Sequence, residues 1–245
     1  MSEPKFLLVA LRGDPEVAAI EYGDFRRATG LADRQLDHLI VDSLDVKLPP
    51  LENYCGIFIG GSPFNVTDWD HCPLQKHSHD LLYEVLSSAI PSFFTCYGNG
   101  YVAFTCGGEV NRLYGEPAGT TEVRLTAAAE TDPIFQHLPS AFTALTGHKE
   151  SVAVLPENAV LLAEGPTCPH QIFRWGKNNW MTQFHPELDA EAILLRMSYY
   201  QNEGYFRSDQ VAEIAQRVHQ ADTSAADSIL KRFVHYCVSQ LCPVA

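Results

Sequence analysis

The sequence predicts an α/β fold: a mostly parallel central sheet with helices on both faces, short antiparallel strands added in the middle, and a C-terminal helical extension. Two observations carry this. Short runs in the first hundred residues are apolar at nearly every position, the pattern of strands buried on both faces, and stretches of helical character separate them. Two of these runs stop abruptly at residues suited to sharp turns, Gly60-Gly61 and Cys96-Tyr97-Gly98. Both turns then lie at strand carboxyl ends, where sheets of this kind bind ligands.

Taken in chain order, Phe6 to Leu11 is the first strand, ended by Arg12-Gly13-Asp14-Pro15. Glu16 to Thr29 carries Val17, Ile20 and Tyr22 among charged residues and closes at Gly30, a helix with a glycine stop. Asp37 to Val41 is a second strand, Leu48-Pro49-Pro50 a loop, Tyr54 to Ile59 a third strand, and Leu74 to Ala89 a helix. An aromatic-rich strand then leads to Cys96. Further on the runs shorten: Val123–Leu125, Ala141–Leu145, Val152–Leu155, Val160–Ala163, Gln171–Trp175 and Trp180–Phe184 read as antiparallel additions and a last strand of the main sheet. Asp189 to Tyr200 is a helix with its apolar stripe at Ile193, Leu194 and Met197, and Asp209–His219 and Ala225–Cys237 are two more. No repeat or flexible linker interrupts the chain. The expected organisation is one domain over residues 1–204 with a helical extension over 205–245 packed on it.

Composition narrows the class. A chain of 245 residues with 46% hydrophobic content can bury a substantial core. A formal charge of −13 argues against nucleic acid or an anionic membrane as the main partner, and no run approaches the ~18 apolar residues of a membrane span. The N-terminus reads as lacking a signal peptide. Seven scattered cysteines (55, 72, 96, 106, 168, 237 and 242), with no C-x-x-C pair, suit reduced thiols in a cytoplasmic enzyme.

Cys96 sits on a strand–turn–helix elbow. First-turn N–H groups and the positive end of a helix dipole favour a thiolate there and can stabilise an oxyanion. An inert core thiol is the commoner fate of a free cysteine. What points to chemistry is a second strand end, Gln183-Phe184-His185-Pro186-Glu187. Pro186 biases His185 to an extended conformation, so its imidazole projects from the same sheet edge as Cys96. Glu187 is close enough in sequence to fold back on the imidazole, as a triad requires. Singly, His185 reads equally as a hydrogen-bonded loop histidine and Glu187 as a first-turn acid.

The order Gly60-Gly61, Cys96-Tyr97-Gly98, Gly107-Gly108-Glu109-Val110, Gln183-Phe184-His185-Pro186-Glu187 resembles the class I (triad) glutamine amidotransferases, and most closely stand-alone relatives of the GMP synthase glutaminase domain. The resemblance spans residues 6 to 200 and implies a flavodoxin-like sheet. It implies Cys96 as nucleophile, His185 as base and acid, and Glu187 as the group orienting His185. Glutamine would be cleaved through a γ-glutamyl thioester, releasing ammonia to a separate synthase subunit or to none. The oxyanion would be held by the N–H of Gly61 or its neighbour together with that of Tyr97. Gly60 would allow close backbone approach, and Gly98 and Gly100 would lie beside the substrate.

The family's usual G-I-C-x-G-H-Q reads here Phe94-Thr95-Cys96-Tyr97-Gly98-Asn99-Gly100. Phe94 replaces a glycine, and Gly100 replaces the glutamine that holds the substrate's α-amino-acid end. This keeps open hydrolysis of γ-glutamyl peptides without ammonia transfer, and a non-catalytic regulatory relative. His148, in Gly147-His148-Lys149-Glu150, has two readings, a surface turn or a residue lining the site. His71, Cys72, His77 and His79 lack the spacing of a metal site, and no metal or cofactor is expected. Tyr199, Tyr200, Tyr205 and Phe206 read as packing.

Overall fold

The computed structural model describes residues 3–201 and 203–241; Cys242, one of the seven thiols, lies outside them. The strands are β1 (Phe6–Ala10), β2 (Leu36–Ile40), β3 (Gly56–Ile59), β4 (Ser92–Thr95), β5 (Glu109–Asn111), β6 (Glu116–Leu125), β7 (Ala141–His148), β8 (Ser151–Val154), β9 (Ala159–Glu164), β10 (Ile172–Trp175) and β11 (Asn179–Thr182). The helices are α1 (Pro15–Thr29), α2 (Pro73–Ser87), α3 (Tyr97–Thr105), α4 (Ala190–Tyr199), α5 (Val211–Gln220), α6 (Ser224–Asp227) and α7 (Ile229–Leu241). Nine strands form one sheet in the order β2-β1-β3-β4-β11-β10-β9-β6-β7, and β5 and β8 form a separate antiparallel pair. The first five of that order run parallel and the rest antiparallel. The parallel half has the flavodoxin-like arrangement expected of the sequence, with its order reversing between β1 and β3.

Period-two alternation builds both faces. Phe6, Leu8, Phe58, Phe93 and Trp180 join Phe25 of α1 and Ile229, Leu230 and Phe233 of α7 in one buried cluster. Their sequence neighbours Leu7, Val9, Ile57, Ile59, Phe94 and Met181 pack on Leu81, Leu82 and Val85 of α2 and on Tyr101 and Val102 of α3. A third cluster joins α4 and α5 to Ala118 of β6 and Leu145 of β7. Helix ends follow local signals. Asp14 accepts from the N–H of Glu16, Pro15 opens α1, and Gly30 at φ 74° closes it with its N–H on the Arg26 carbonyl. Among the described residues no helix is long and apolar enough to cross a membrane.

Three expectations shift. β6 begins at Glu116 rather than Val123, because Pro117 and Gly119 sit in an irregular stretch of its pairing with β7. β11 ends at Thr182, before Gln183 and Phe184, whose chain already turns out of the sheet. The Val152–Leu155 run joins β5 and stays out of the main sheet.

Candidate active site

β4 and β11 are parallel neighbours with Thr95 opposite Thr182. The next residue on one strand is Cys96, whose N–H donates to the Thr182 carbonyl at 2.8 Å. Three residues beyond Thr182 on the other comes His185, whose N–H donates to the Leu145 carbonyl at 2.9 Å. The two side chains therefore leave the same end of the sheet, where both line one depression. Cys96 adopts φ 50° and ψ −95° immediately before α3, a strained backbone for a residue with a Cβ. The strain marks a sharp elbow between β4 and α3 with Cys96 at its tip.

The elbow accommodates Phe94 through Gly98. A Cβ on Gly98 would lie 2.8 Å from the Phe94 Cβ, and the Phe94 ring is fully buried. The Phe94 ring thus fits because position 98 keeps its glycine. Asn99, also buried, donates from Nδ2 to Gln183 Oε1 at 3.1 Å and ties the first turn of α3 to the strand end that carries His185.

His185 Nδ1 donates to Glu187 Oε1 at 2.7 Å, with both residues buried. Burial disfavours the imidazolium, but Glu187 and then Cys96 outweigh it and hold His185 up at about 9. Glu187 stays well below the usual carboxylate range: burial opposes its charge, and His185 and Arg196 overcome that. Arg196 was invisible to sequence reasoning. Its Nη1 donates to Glu187 Oε1 at 3.0 Å and its Nη2 to Asp24 Oδ2 at 3.3 Å, bridging α4 and α1. Arg27 adds a bond from Nη2 to the Glu187 carbonyl at 2.9 Å. Arg196→Met leaves two buried carboxylates without their shared cation, so a loss of about 3–5 kcal/mol is expected. Urea midpoints measure it, and a loss under about 1 kcal/mol would show that the bridge does not hold the site.

Gly60 and Gly61 pass close to a second buried pair. A Cβ on Gly60 would lie 2.4 Å from Glu21 Oε2, and one on Gly61 would lie 2.8 Å from Arg12 Nη2 and 3.2 Å from His185 Cε1. Arg12 Nε donates to Glu21 Oε1 at 2.8 Å, and the Gly61 N–H donates to the same oxygen at 3.2 Å. The Gly61 N–H is therefore committed to Glu21, which moves the expected oxyanion donor from Gly61 to the adjoining Ser62. Nothing in the sequence distinguished Glu21 from the solvated charges of α1.

His148 is not in a surface turn. It is buried at the end of β7, with Nε2 3.0 Å from Glu116 Oε2 and Nδ1 2.9 Å from the Glu150 carbonyl oxygen. Glu116 lies directly opposite it on β6. Glu150 Oε1 and Oε2 accept from the N–H groups of Val66 and Thr67 at 2.8 and 3.0 Å, anchoring the loop beside Gly100. A Cβ on Gly100 would meet Val66, Glu150 and Val110 at 3.5–3.7 Å, so these side chains occupy the space beside that glycine. Of the histidines read against a metal, His79 bonds to the Tyr97 hydroxyl at 2.6 Å, and His71 and His77 to the carbonyls of Val66 and Val46.

Two depressions meet at Cys96. One, of about 550 Å³, includes His185, Arg12, Met197, Tyr205 and Phe206. The other, of about 310 Å³, includes Gly100, His148, Glu150 and Gln183. Tyr200, Tyr205 and Phe206 thus line the site instead of only packing the tail.

The strand-end cysteine and the buried histidine–carboxylate pair thus share one depression at the edge of a flavodoxin-like sheet. Comparison with known proteins gives the family. Residues 30–196 match the model of the class I glutamine amidotransferases, and the chain belongs to that family. It is 30% identical to a GMP synthase [glutamine-hydrolyzing] of Christiangramia forsetii over 149 residues, 58% of this chain and 26% of that protein. It is 27% identical to the corresponding protein of Flavobacterium psychrophilum over 192 residues, 70% of this chain and 35% of that one. The matched regions thus span about a quarter to a third of those relatives. Among solved structures, a glutamine amidotransferase from Thermotoga maritima superimposes with TM-score 0.78 at 20% identity, covering 97% of this chain and 99% of that one. A glutamine amidotransferase from Methylobacillus flagellatus gives TM-score 0.70 at 16% identity, covering 96% of this chain and 95% of that one. At these identities the structural likeness speaks for the fold.

Proposed function

We propose that this chain is a cysteine-dependent amidohydrolase acting on the side-chain amide of glutamine or of a γ-glutamyl compound. The observation that carries the reading is the buried His185–Glu187 bond in the same strand-end depression as Cys96. Cys96 Sγ attacks the amide carbonyl, the C–N bond breaks, and His185 gives its proton to the departing nitrogen. A water molecule, deprotonated by His185, then attacks the γ-glutamyl thioester and releases glutamate. Glu187 orients the imidazole and stabilises its charged form. Arg196 positions Glu187 in turn. In this reading the oxyanion is received by first-turn N–H groups of α3, at Tyr97 and Gly98, which lack intrahelical acceptors, and by the Ser62 N–H.

The substrate named in the relatives, glutamine, supports a γ-glutamyl group as the part held beside Gly100, His148 and Glu150. Ammonia would pass to a synthase unit outside these 245 residues. Six free cysteines among the described residues favour a reducing compartment, and a cytoplasmic location is part of the proposal.

The His185–Glu187 pair sets a pH window. His185 sits above its ordinary 6.5, so its contribution to stability is complete below pH 6.5 and is lost as pH rises through about 9. Glu187 sits below its ordinary 4.5, so its contribution is complete above pH 4.5 and is lost in stronger acid. The contribution of this pair to the urea midpoint should be complete between pH 4.5 and 6.5, and kcat/KM should fall as His185 loses its proton near pH 9. A midpoint still rising between about pH 7 and pH 9 would contradict the assignment.

A further inference from the structure

The two sides of Cys96 are built for different chemistry. The smaller depression contains Cys96 but not His185, and its walls carry Gly100, His148, Lys149, Glu150 and Gln183. The larger contains both Cys96 and His185. Because His185 delivers the proton to the departing nitrogen, the leaving group must exit on its side. Ammonia needs no wall there. Yet that side is lined by Leu188, Ile193, Met197, Tyr205 and Phe206, an apolar surface assembled from α4 and the segments that flank it.

Three groups that can carry positive charge line this cleft, His185, Arg196 and Arg12, and the first two are bonded to Glu187. Arg12 is 4% exposed, and its Nε and Nη1 are spent on Glu21 and the Tyr200 hydroxyl at 2.8 and 2.7 Å. Its Nη2, beside Gly61, makes no hydrogen bond to any described residue, and Arg12 lines the cleft. A guanidinium nitrogen left with donors at the wall of an apolar cleft suits a carboxylate on an otherwise apolar ligand.

We propose that this cleft is a leaving-group subsite for an apolar α-amino acid. Resting on the hydrolase reading above, this makes the substrate class γ-glutamyl dipeptides whose C-terminal residue is apolar. The apolar side chain lies against Met197, Tyr205 and Phe206, and its carboxylate meets Arg12 Nη2. Chemically, the S–C bond forms at Cys96 as the C–N bond breaks, and the free amino acid leaves with the proton from His185. Water then breaks the thioester to give glutamate and restores the thiol.

The test compares kcat/KM of the full chain for glutamine, γ-glutamylglycine, γ-glutamylphenylalanine and γ-glutamylphenethylamide. Burial of the aromatic ring should favour γ-glutamylphenylalanine over γ-glutamylglycine by roughly 10–100-fold. The carboxylate should favour it over the phenethylamide by roughly tenfold. Met197→Trp, which fills the cleft, and Phe206→Ala, at a partly exposed position, should each cut the phenylalanine-to-glycine ratio at least about fivefold. Ratios taken within one variant are insensitive to the fraction folded. Equal rates on the two dipeptides, a preference for glutamine, or a ratio unchanged in both variants would overturn the subsite and leave the hydrolase reading standing. Failure of every compound to acylate Cys96 would overturn both.

Discussion

Cys96→Ala should reduce amide hydrolysis by at least about 10⁴-fold, because it removes the atom proposed to form the covalent intermediate while leaving its surroundings in place. Ala at this site keeps the Cβ and the N–H that donates to Thr182. Circular dichroism and the urea midpoint are therefore expected to stay near those of the parent chain. Residual activity within about tenfold of the parent would mean that another residue, or water activated directly, attacks the carbonyl. Cys106 and Cys168 are poor substitutes, since burial pushes both thiols up, to about 11 and about 12.

His185→Asn should lower kcat/KM by roughly 10²–10⁴-fold through loss of proton transfer alone. It also removes the partner that buried Glu187 bonds at 2.7 Å, so some stability is lost with it. The two effects separate by pH. The decline in stability from pH 6.5 to about 9 should be flattened in the variant, because the group that titrates there is gone. Unchanged activity in His185→Asn would remove the imidazole from the mechanism. An unchanged pH profile of stability would remove its coupling to Glu187.

Much of this architecture was legible in the chain, and the reasons are local. The strands ending at Gly60 and Cys96 are buried on both faces and therefore apolar throughout, a pattern that needs no knowledge of partners. The placement of Cys96, His185 and Glu187 at one sheet edge was readable because each position is set by its own neighbours: a strand stop, a following proline, a spacing of two. Arg196, Arg12 and Glu21 were not, because a charged residue on a helix or in a turn looks solvated until its partner is known. Arg196 meets Asp24 across 172 positions, and Arg12 meets Tyr200 across 188. The His148–Glu116 pair depends on the register of β6 against β7, and the proline and glycine near the start of β6 hide that strand from periodicity. The fate of Gly98 likewise follows from where the Phe94 ring lies, which only the folded elbow defines.

The most direct test of Cys96 as the nucleophile for a γ-glutamyl amide is covalent capture. The full chain is incubated with a diazo-ketone analogue of glutamine at neutral pH, and adducts are located by intact and peptide mass spectrometry. The expected result is one adduct on the peptide carrying Cys96, suppressed by excess glutamine or γ-glutamyl dipeptide and absent from Cys96→Ala. Activity lost while Cys96 remains unmodified, or labelling of Cys96 that no γ-glutamyl compound suppresses, would contradict the assignment of nucleophile or of substrate respectively.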